Sequence, residues 1–378
     1  MSARAWPRPP FPQSRKNDHG SPAAARCCDF GATAIGATLS APAVLSQEKI
    51  EWRMITSWPK NLPGPGVTAQ RLADRINTLS GGRLSIRLYA AGELVPALEV
   101  LNSVASGVAQ IGHTAPLFWA GRMPAAPLFT AGPFGLTPLE HITWIDHGGG
   151  QALWDELYAP QGVKPFMAGN TGFQMGGWFS KEINSLADIK GLKMRMPGLG
   201  GLVLARLGGT AVTVAPPEIF TSLQTGVIDA TEFLGPFSDM AMGFQKAAKF
   251  YYTPGWHEPN GTGEAIVSLE AWNALPDDLK AIVETACRAE NIFSLGEAEW
   301  LNAEALKRLQ SDFGVEVRKF PADFLDAARV ATRDVMDELA ARDELTGRIV
   351  ESYRQAAIHQ AQWSEISLTA FLSARNPA

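Results

Sequence analysis

Two successive strand–turn–helix units between Ser185 and Phe233 constrain this chain more than any other stretch. Leu192 to Met196 reads as a short strand broken by Pro197 and Gly198. Arg195 is thereby carried to the strand end, where side chains commonly project into a cleft. Glu218 to Gln224 reads as a short helix stopped by Gly226, followed by an apolar step into Asp229 and Glu232. One guanidinium and one carboxylate thus reach neighbouring strand ends, a frame suited to a small anion with a countercharge beside it. An Arg fork grips a carboxylate through two parallel hydrogen bonds, which Lys cannot reproduce. A surface ion pair of Arg195 with Asp188 is the bland alternative. Gly198-Leu199-Gly200-Gly201 either cradles an anion with backbone N–H groups or lets the strand turn tightly into a helix.

Around this stretch, helical and strand patterns alternate. Glu51 to Thr56 reads as a strand, and Leu72, Ile76 and Leu79 line one helix face. Leu84, Ile86 and Leu88 alternate with polar residues as a half-buried strand. A helix with Leu98, Leu101, Ala105 and Val108 on one face and a strand near Gln110 to His113 complete a βαβαβ rhythm, which predicts a parallel sheet. The Pro-, Gly- and aromatic-rich loop from Ala115 to Thr137 is read as a cleft rim or a packed surface connection. Helix follows from Pro138 to Tyr158, then strands at Val163 to Ala168 and Gly172 to Phe179, whose junction is a candidate crossing between lobes, with Gln174 just past it. A long helix begins at Pro276 and runs to about Asp312, and helical patterns at Pro321 to Ala341 and Thr346 to Leu372 close the chain.

With 378 residues, two domains are the default. A net charge of −5 without a basic stripe disfavours nucleic acid. Basic residues up to Arg26, an uncharged run from Phe30 to Gln47 and small residues at Ala41, Ala43 and Ser46 follow the order of a signal peptide, so residues 1–46 are read as a leader and the protein as exported. Cys27 and Cys28 would leave with it. Cys287 would remain alone as a buried filler. The sequence holds no Gly-x-Ser-x-Gly elbow, His-Glu-x-x-His, Walker loop or Cys-x-x-Cys pair. In Trp256-His257-Glu258-Pro259 the adjacent His and Glu, read as strand residues, point to opposite faces, so only one reaches a cleft.

The Ser185–Phe233 wording resembles the signature of solute-binding proteins of the tripartite ATP-independent periplasmic (TRAP) transporters, and the resemblance runs from about Ile50 to Leu372. Gly169 to Phe179, Asp229 to Phe237 and Tyr251 to Pro259 are similar to the branch that binds 2-oxo acids or lactate with a metal ion. The resemblance implies a two-lobed α/β periplasmic binding protein fold, with a long helix spanning the lobes and a C-terminal helical extension. Lobe one would comprise residues 47–171 and 261–300, lobe two 172–260 and 301–342, and the extension 343–378. It implies a non-catalytic receptor that hands an organic acid to a membrane permease. Gln174 and Arg195 would hold the substrate, and Glu232, the main-chain oxygen of Phe233 and Glu258 would bind Na⁺ or Ca²⁺. Two departures stand out: Phe233 replaces the usual Trp, and Leu117-Phe118 stands where the branch tends to carry Tyr, which makes the rim more apolar. The alternative is a metal-dependent periplasmic enzyme acting on a 2-oxo or hydroxy acid, and a sensor ectodomain is a third reading. An apolar stripe of Ile349, Tyr353, Ala357 and Ala361, with Trp363, Ile366 and Phe371 beyond it, points to a homodimer built on the last helix, against a helix folded back on its own chain.

Overall fold

The computed structural model describes residues 49–376, so the leader and its two cysteines lie outside the described residues. Two mixed β-sheets organise the chain. The first contains β1 (Ile50–Thr56), β2 (Leu84–Tyr89), β3 (Ile111–Thr114), β4 (Val163–Asn170) and β10 (Thr262–Ser268), in the order β2-β1-β3-β10-β4. The second contains β5 (Gly177–Phe179), β6 (Lys193–Arg195), β7 (Thr210–Val212), β8 (Ala230–Thr231), β9 (Phe250–Thr253) and β11 (Glu316–Lys319), in the order β11-β9-β5-β8-β6-β7.

The α/β reading is borne out, but neither sheet is wholly parallel. β1 pairs parallel with β2 and β3, as the βαβαβ rhythm requires. β10 returns from the other half of the chain and runs antiparallel between β3 and β4. β5 is likewise antiparallel to both β8 and β9. A strand that crosses into a sheet from a distant segment is free of the crossover-helix constraint, and local periodicity does not report its direction.

In the first half, α1 (Pro65–Leu79) covers the first sheet with Leu72 and Ile76 buried, while Leu79 is exposed. α2 (Val100–Ala105) buries Val100, Leu101 and Val104, and Val108 lies beyond the helix, exposed. The helix expected from Pro138 to Tyr158 is two helices, α3 (Pro138–His147) and α4 (Gly150–Tyr158). They are separated at Gly148-Gly149, where Gly149 takes a left-handed φ of 84°. The strand expected over Gly172 to Phe179 is ordered as β5 only from Gly177, and residues 171–176 form an irregular crossing between the sheets.

α5 (Gly198–Arg206), α6 (Ile219–Gln224) and α7 (Pro236–Met242) serve the second sheet, and α8 (Leu269–Ala274) follows β10. α9 (Asp277–Phe313) is 37 residues long, about 55 Å at 1.5 Å per residue. It packs on α1 and β4 at one end and on α7 at the other, so one helix touches elements of both sheets. Cys287 lies buried in it. α10 (Ala322–Ala340), α11 (Glu344–Ser364) and α12 (Ala370–Arg375) end the described chain, with a π-helical turn between the last two.

Candidate functional site

A cleft with about 560 Å³ of empty space, part of it open to solvent, lies where loops from the two sheets converge. β6 ends at Arg195 because Pro197 cannot extend the ladder, and the Glu232 N–H donates to the Arg195 carbonyl at 3.2 Å, just past β8. Both side chains are therefore fixed by backbone pairing and point into one space. Arg195 is 2% exposed and Glu232 fully buried. Arg195 Nη1 donates to both a carboxylate oxygen and the carbonyl of Glu232, the latter at 3.0 Å. Its Nε is buried without a partner. The Phe233 ring lies 5.7 Å below the guanidinium carbon. Asp188 is not involved; it accepts from Asn184 and Ser185 in its own turn, which removes the surface pairing with Arg195.

The crossing at 171–176 and the return at 254–261 supply the remaining polar atoms. Gln174 Nε2 donates to Thr171 Oγ1 at 3.2 Å, while its Oε1 is buried and unpartnered. The two crossings are packed main chain against main chain. A Cβ on Gly255 would lie 2.4 Å from the Gln174 carbonyl, so only glycine fits there.

Of His257 and Glu258 only Glu258 lines the cavity, as expected, but the strand reading behind that expectation needs correcting. Both are buried, and Glu232, His257 and Glu258 each bring a ligand-type atom within 4.8 Å of the others. Strand alternation does not apply because β9 stops at Thr253 and Pro254, Gly255 and Pro259 keep the following segment irregular. His257 Nε2 donates to Glu232 Oε2 at 3.2 Å, and its ring is seated against Gly200, where a Cβ would lie 2.8 Å from the His257 Cβ. Gly200 and Gly201 thus serve close packing at the start of α5, the second of the two readings of that glycine cluster.

Burial, and then the neighbouring Glu232 carboxylate, push the Glu258 carboxyl well above its usual range, while Arg195 and Gln174 pull the other way. Two buried carboxylates facing each other are costly unless a cation lies between them. Carboxylate oxygens and an amide oxygen suit a hard ion, and each carboxylate oxygen retains a lone pair beyond its existing hydrogen bond. The residues present therefore fit an ion such as Na⁺ or Ca²⁺. The loop carrying Glu232 is anchored from behind by Asp239, whose carboxylate accepts from Leu234 N at 3.0 Å, Trp178 Nε1 at 2.9 Å and Tyr251 Oη at 2.7 Å. Burial pushes Asp239 up to about 7 against those three donors. Nothing in the sequence singled out Asp239; its partners come from three separate segments.

The structure brings all five residues named from sequence, Gln174, Arg195, Glu232, Phe233 and Glu258, into the lining of this one cavity. Residues 57–343 match the family model for bacterial extracellular solute-binding protein, family 7. The chain belongs to that family, the solute-binding proteins of TRAP transporters. It is 41% identical over 318 residues to a monocarboxylate 2-oxoacid-binding periplasmic protein of Nostoc sp., covering 84% of this chain and 87% of that protein. A TRAP periplasmic solute-binding protein from Pseudoalteromonas atlantica, solved with bound sodium and pyruvate, superimposes with a TM-score of 0.84 at 38% identity, covering 86% of this chain and 99% of that one. A TRAP solute-binding protein from Bordetella bronchiseptica, a mixed-occupancy dimer with calcium and picolinate, gives a TM-score of 0.85 at 34% identity, covering 87% and 97%. This solute-binding protein shares a receptor family, and the comparisons favour that class over the enzyme alternative.

Proposed function

We propose that this TRAP solute-binding protein captures a 2-oxo or hydroxy monocarboxylic acid together with Na⁺ or Ca²⁺ and delivers it to a membrane permease. The observation that carries the reading is the half-used guanidinium: Arg195 is buried, engaged with Glu232 through Nη1, and left with an unpartnered Nε, while Gln174 Oε1 in the same lining is also unpartnered. An incoming carboxylate supplies what that fork lacks. In this reading Arg195 and Gln174 hold the acid, and Glu232, the Phe233 carbonyl and Glu258 hold the cation. His257 keeps the Glu232 carboxylate turned toward the ion. Pyruvate and picolinate, the ligands of two similar proteins, both carry a donor atom one carbon from the carboxylate and so can chelate a cation while the carboxylate meets an arginine.

The two sheet-centred halves act as lobes joined by the crossings at 171–176 and 254–261 and by α9. Closure around the acid removes water and strengthens the Arg195 pairing. A periplasmic location follows from the leader and the family, and no helix among the described residues is long and apolar enough to cross a membrane. Calorimetry of pyruvate binding to the mature protein tests the reading. Binding should weaken on removal of Na⁺ and Ca²⁺, and in Glu232→Gln. Binding indifferent to both treatments would reduce Glu232 and Glu258 to structural partners.

A second copy of the chain is the proposed partner of the C-terminal extension. The first half of α11 is tied down: Ile349, Val350 and Tyr353 are buried, and the Tyr353 hydroxyl accepts from Gly132 N and Leu136 N at 3.1 and 2.9 Å. Beyond it Ile358, Trp363, Ile366 and Phe371 are each at least 60% exposed. Apolar side chains gathered on one extension favour a partner surface. Light scattering should give a dimer mass for the mature protein and a monomer mass for a chain ending after Arg354, which keeps the Tyr353 anchor. A monomer mass for the mature protein at micromolar concentration would sink the dimer.

A further inference from the structure

The lining drawn from the first sheet and its rim loop carries information about the ligand's other end. Most of its hydrogen-bonding side chains are already occupied, the Thr68 hydroxyl being the exception. Trp58 Nε1 donates to His113 Nδ1 at 2.8 Å, and His113 Nε2 donates to the Ala168 carbonyl at 3.2 Å. Burial holds His113 down at about 4, so its ring is neutral at physiological pH. Thr130 Oγ1 accepts from Leu117 N at 3.3 Å, and the Asn170 amide is shared among Asn260, Thr262 and Gly172. The rest of this lining is apolar apart from Thr68: Trp58 and Phe118, whose ring centres are 6.0 Å apart, with Leu117 and Pro65. This wall is not soft. Trp119, next to Phe118, donates through Nε1 to the buried Glu264 at 2.7 Å and holds the segment in place.

Charge gives the complementary half of the argument. Arg195 is the one cationic side chain in the lining among the described residues, and its neighbours Glu232 and Glu258 are carboxylates. A second carboxylate on the ligand would be desolvated against Trp58, Leu117 and Phe118 with no cation to pair it, which weakens binding in a buried site. Methylene and methyl groups placed on the same wall gain about fourfold in affinity per buried carbon.

We propose that the site selects 2-oxo monoacids with an apolar side chain larger than methyl, in preference both to pyruvate and to dicarboxylates, with Trp58, Leu117 and Phe118 as the specificity-determining wall. The inference rests on the reading that Arg195 and a cation hold the carboxylate end. It extends that reading to the side chain.

Calorimetry at saturating Na⁺ and Ca²⁺ with pyruvate, 4-methyl-2-oxovalerate and 2-oxoglutarate tests it on the wild-type protein. The branched acid should bind at least tenfold tighter than pyruvate, and 2-oxoglutarate at least tenfold weaker than the branched acid. Leu117→Tyr, which fills the apolar end, should lower affinity for the branched acid by a larger factor than affinity for pyruvate, and a cooperative thermal melt like that of the wild type shows that the variant folds. If pyruvate binds as tightly as the branched acid, or 2-oxoglutarate does, the side-chain inference is overturned while the carboxylate-and-cation reading stands. If none of the three binds in the presence of cation, that underlying reading falls and the inference with it.

Discussion

On the cavity wall built from β6, β8 and the return after β9, Arg195 Nε and Gln174 Oε1 are buried with no partner, and Glu258 is pushed toward its neutral form by burial and by Glu232. On the wall built from β1, β3, the end of β4 and the rim loop, Trp58, His113, Thr130 and Asn170 have found partners inside the protein. Both walls are buried and both contain polar residues, so composition does not separate them. The difference lies in which atoms are satisfied. A buried polar atom left without a partner costs about 1–3 kcal/mol, and where it lines a cavity a ligand can remove that cost.

Another arginine makes the same point. Arg71 donates its Nε to the buried Glu290 at 2.8 Å and both terminal nitrogens to Glu297 at 2.9 Å, so its fork is fully employed in pinning α1 to α9. Arg195 is more deeply buried yet uses one nitrogen. A buried ion pair is weak evidence for stability, because desolvation offsets much of the attraction. The Arg195–Glu232 pair is better understood as an incomplete arrangement that a carboxylate and a cation complete.

The largest expected effect follows from that contrast. Arg195→Lys keeps a positive charge that can still pair with Glu232, so the fold should persist, but it replaces the planar fork with a point charge. Acid affinity should fall by roughly 1.5–3 kcal/mol, about tenfold to a hundredfold, by calorimetry. Arg71→Lys, on an arm whose hydrogen bonds are all internal, is the matched control and should change thermal stability more than acid affinity. Equal loss of affinity in both variants would erase the distinction between the two arginines.

Much of the fold was legible because its signals are local. The α1 face, the β1–β2–β3 rhythm and the Pro276 start of α9 each lie within one window of sequence. What failed was non-local or special to a turn. The direction of β10 is set by pairing with β3 and β4 from far along the chain, and Gly148-Gly149 splits a pattern that periodicity alone reads as continuous. Arg195 and Glu232 were placed at strand ends by Pro197 and by the short α6 unit, cues that lie beside them in sequence. His257 was set aside by a strand rule in a segment that is not a strand. Asp239 and Glu264 carry no local cue at all: their partners, Trp178 and Tyr251 in one case and Trp119 in the other, are assembled only by the tertiary fold.

Glu264, which supports the satisfied wall from behind and itself keeps one unpartnered carboxylate oxygen, offers the smaller and more discriminating test. It lies on β10, fully buried, and accepts from Trp119 Nε1 behind the rim. Burial pushes its carboxyl up to about 8, with the hydrogen bond from Trp119 pulling the other way. A carboxyl raised in the fold above its ordinary value of 4.5 contributes stability that is fully present below that value and is lost as pH rises through about 8. Between pH 6 and pH 9 the wild-type protein should therefore lose on the order of 2 kcal/mol of unfolding free energy through this group. Glu264→Gln retains an oxygen for Trp119 Nε1 and cannot ionise, so urea denaturation should show that share of the loss missing from the variant. Asp239, pushed up to about 7, titrates in both proteins and cancels in the difference. Acid affinity at pH 7 should stay within about threefold of wild type, since Glu264 works through the position of Trp119. Identical pH dependence in the two proteins would mean that Glu264 is already ionised in the fold at pH 6. An affinity loss as large as that of Arg195→Lys would move it from the satisfied wall to the binding one.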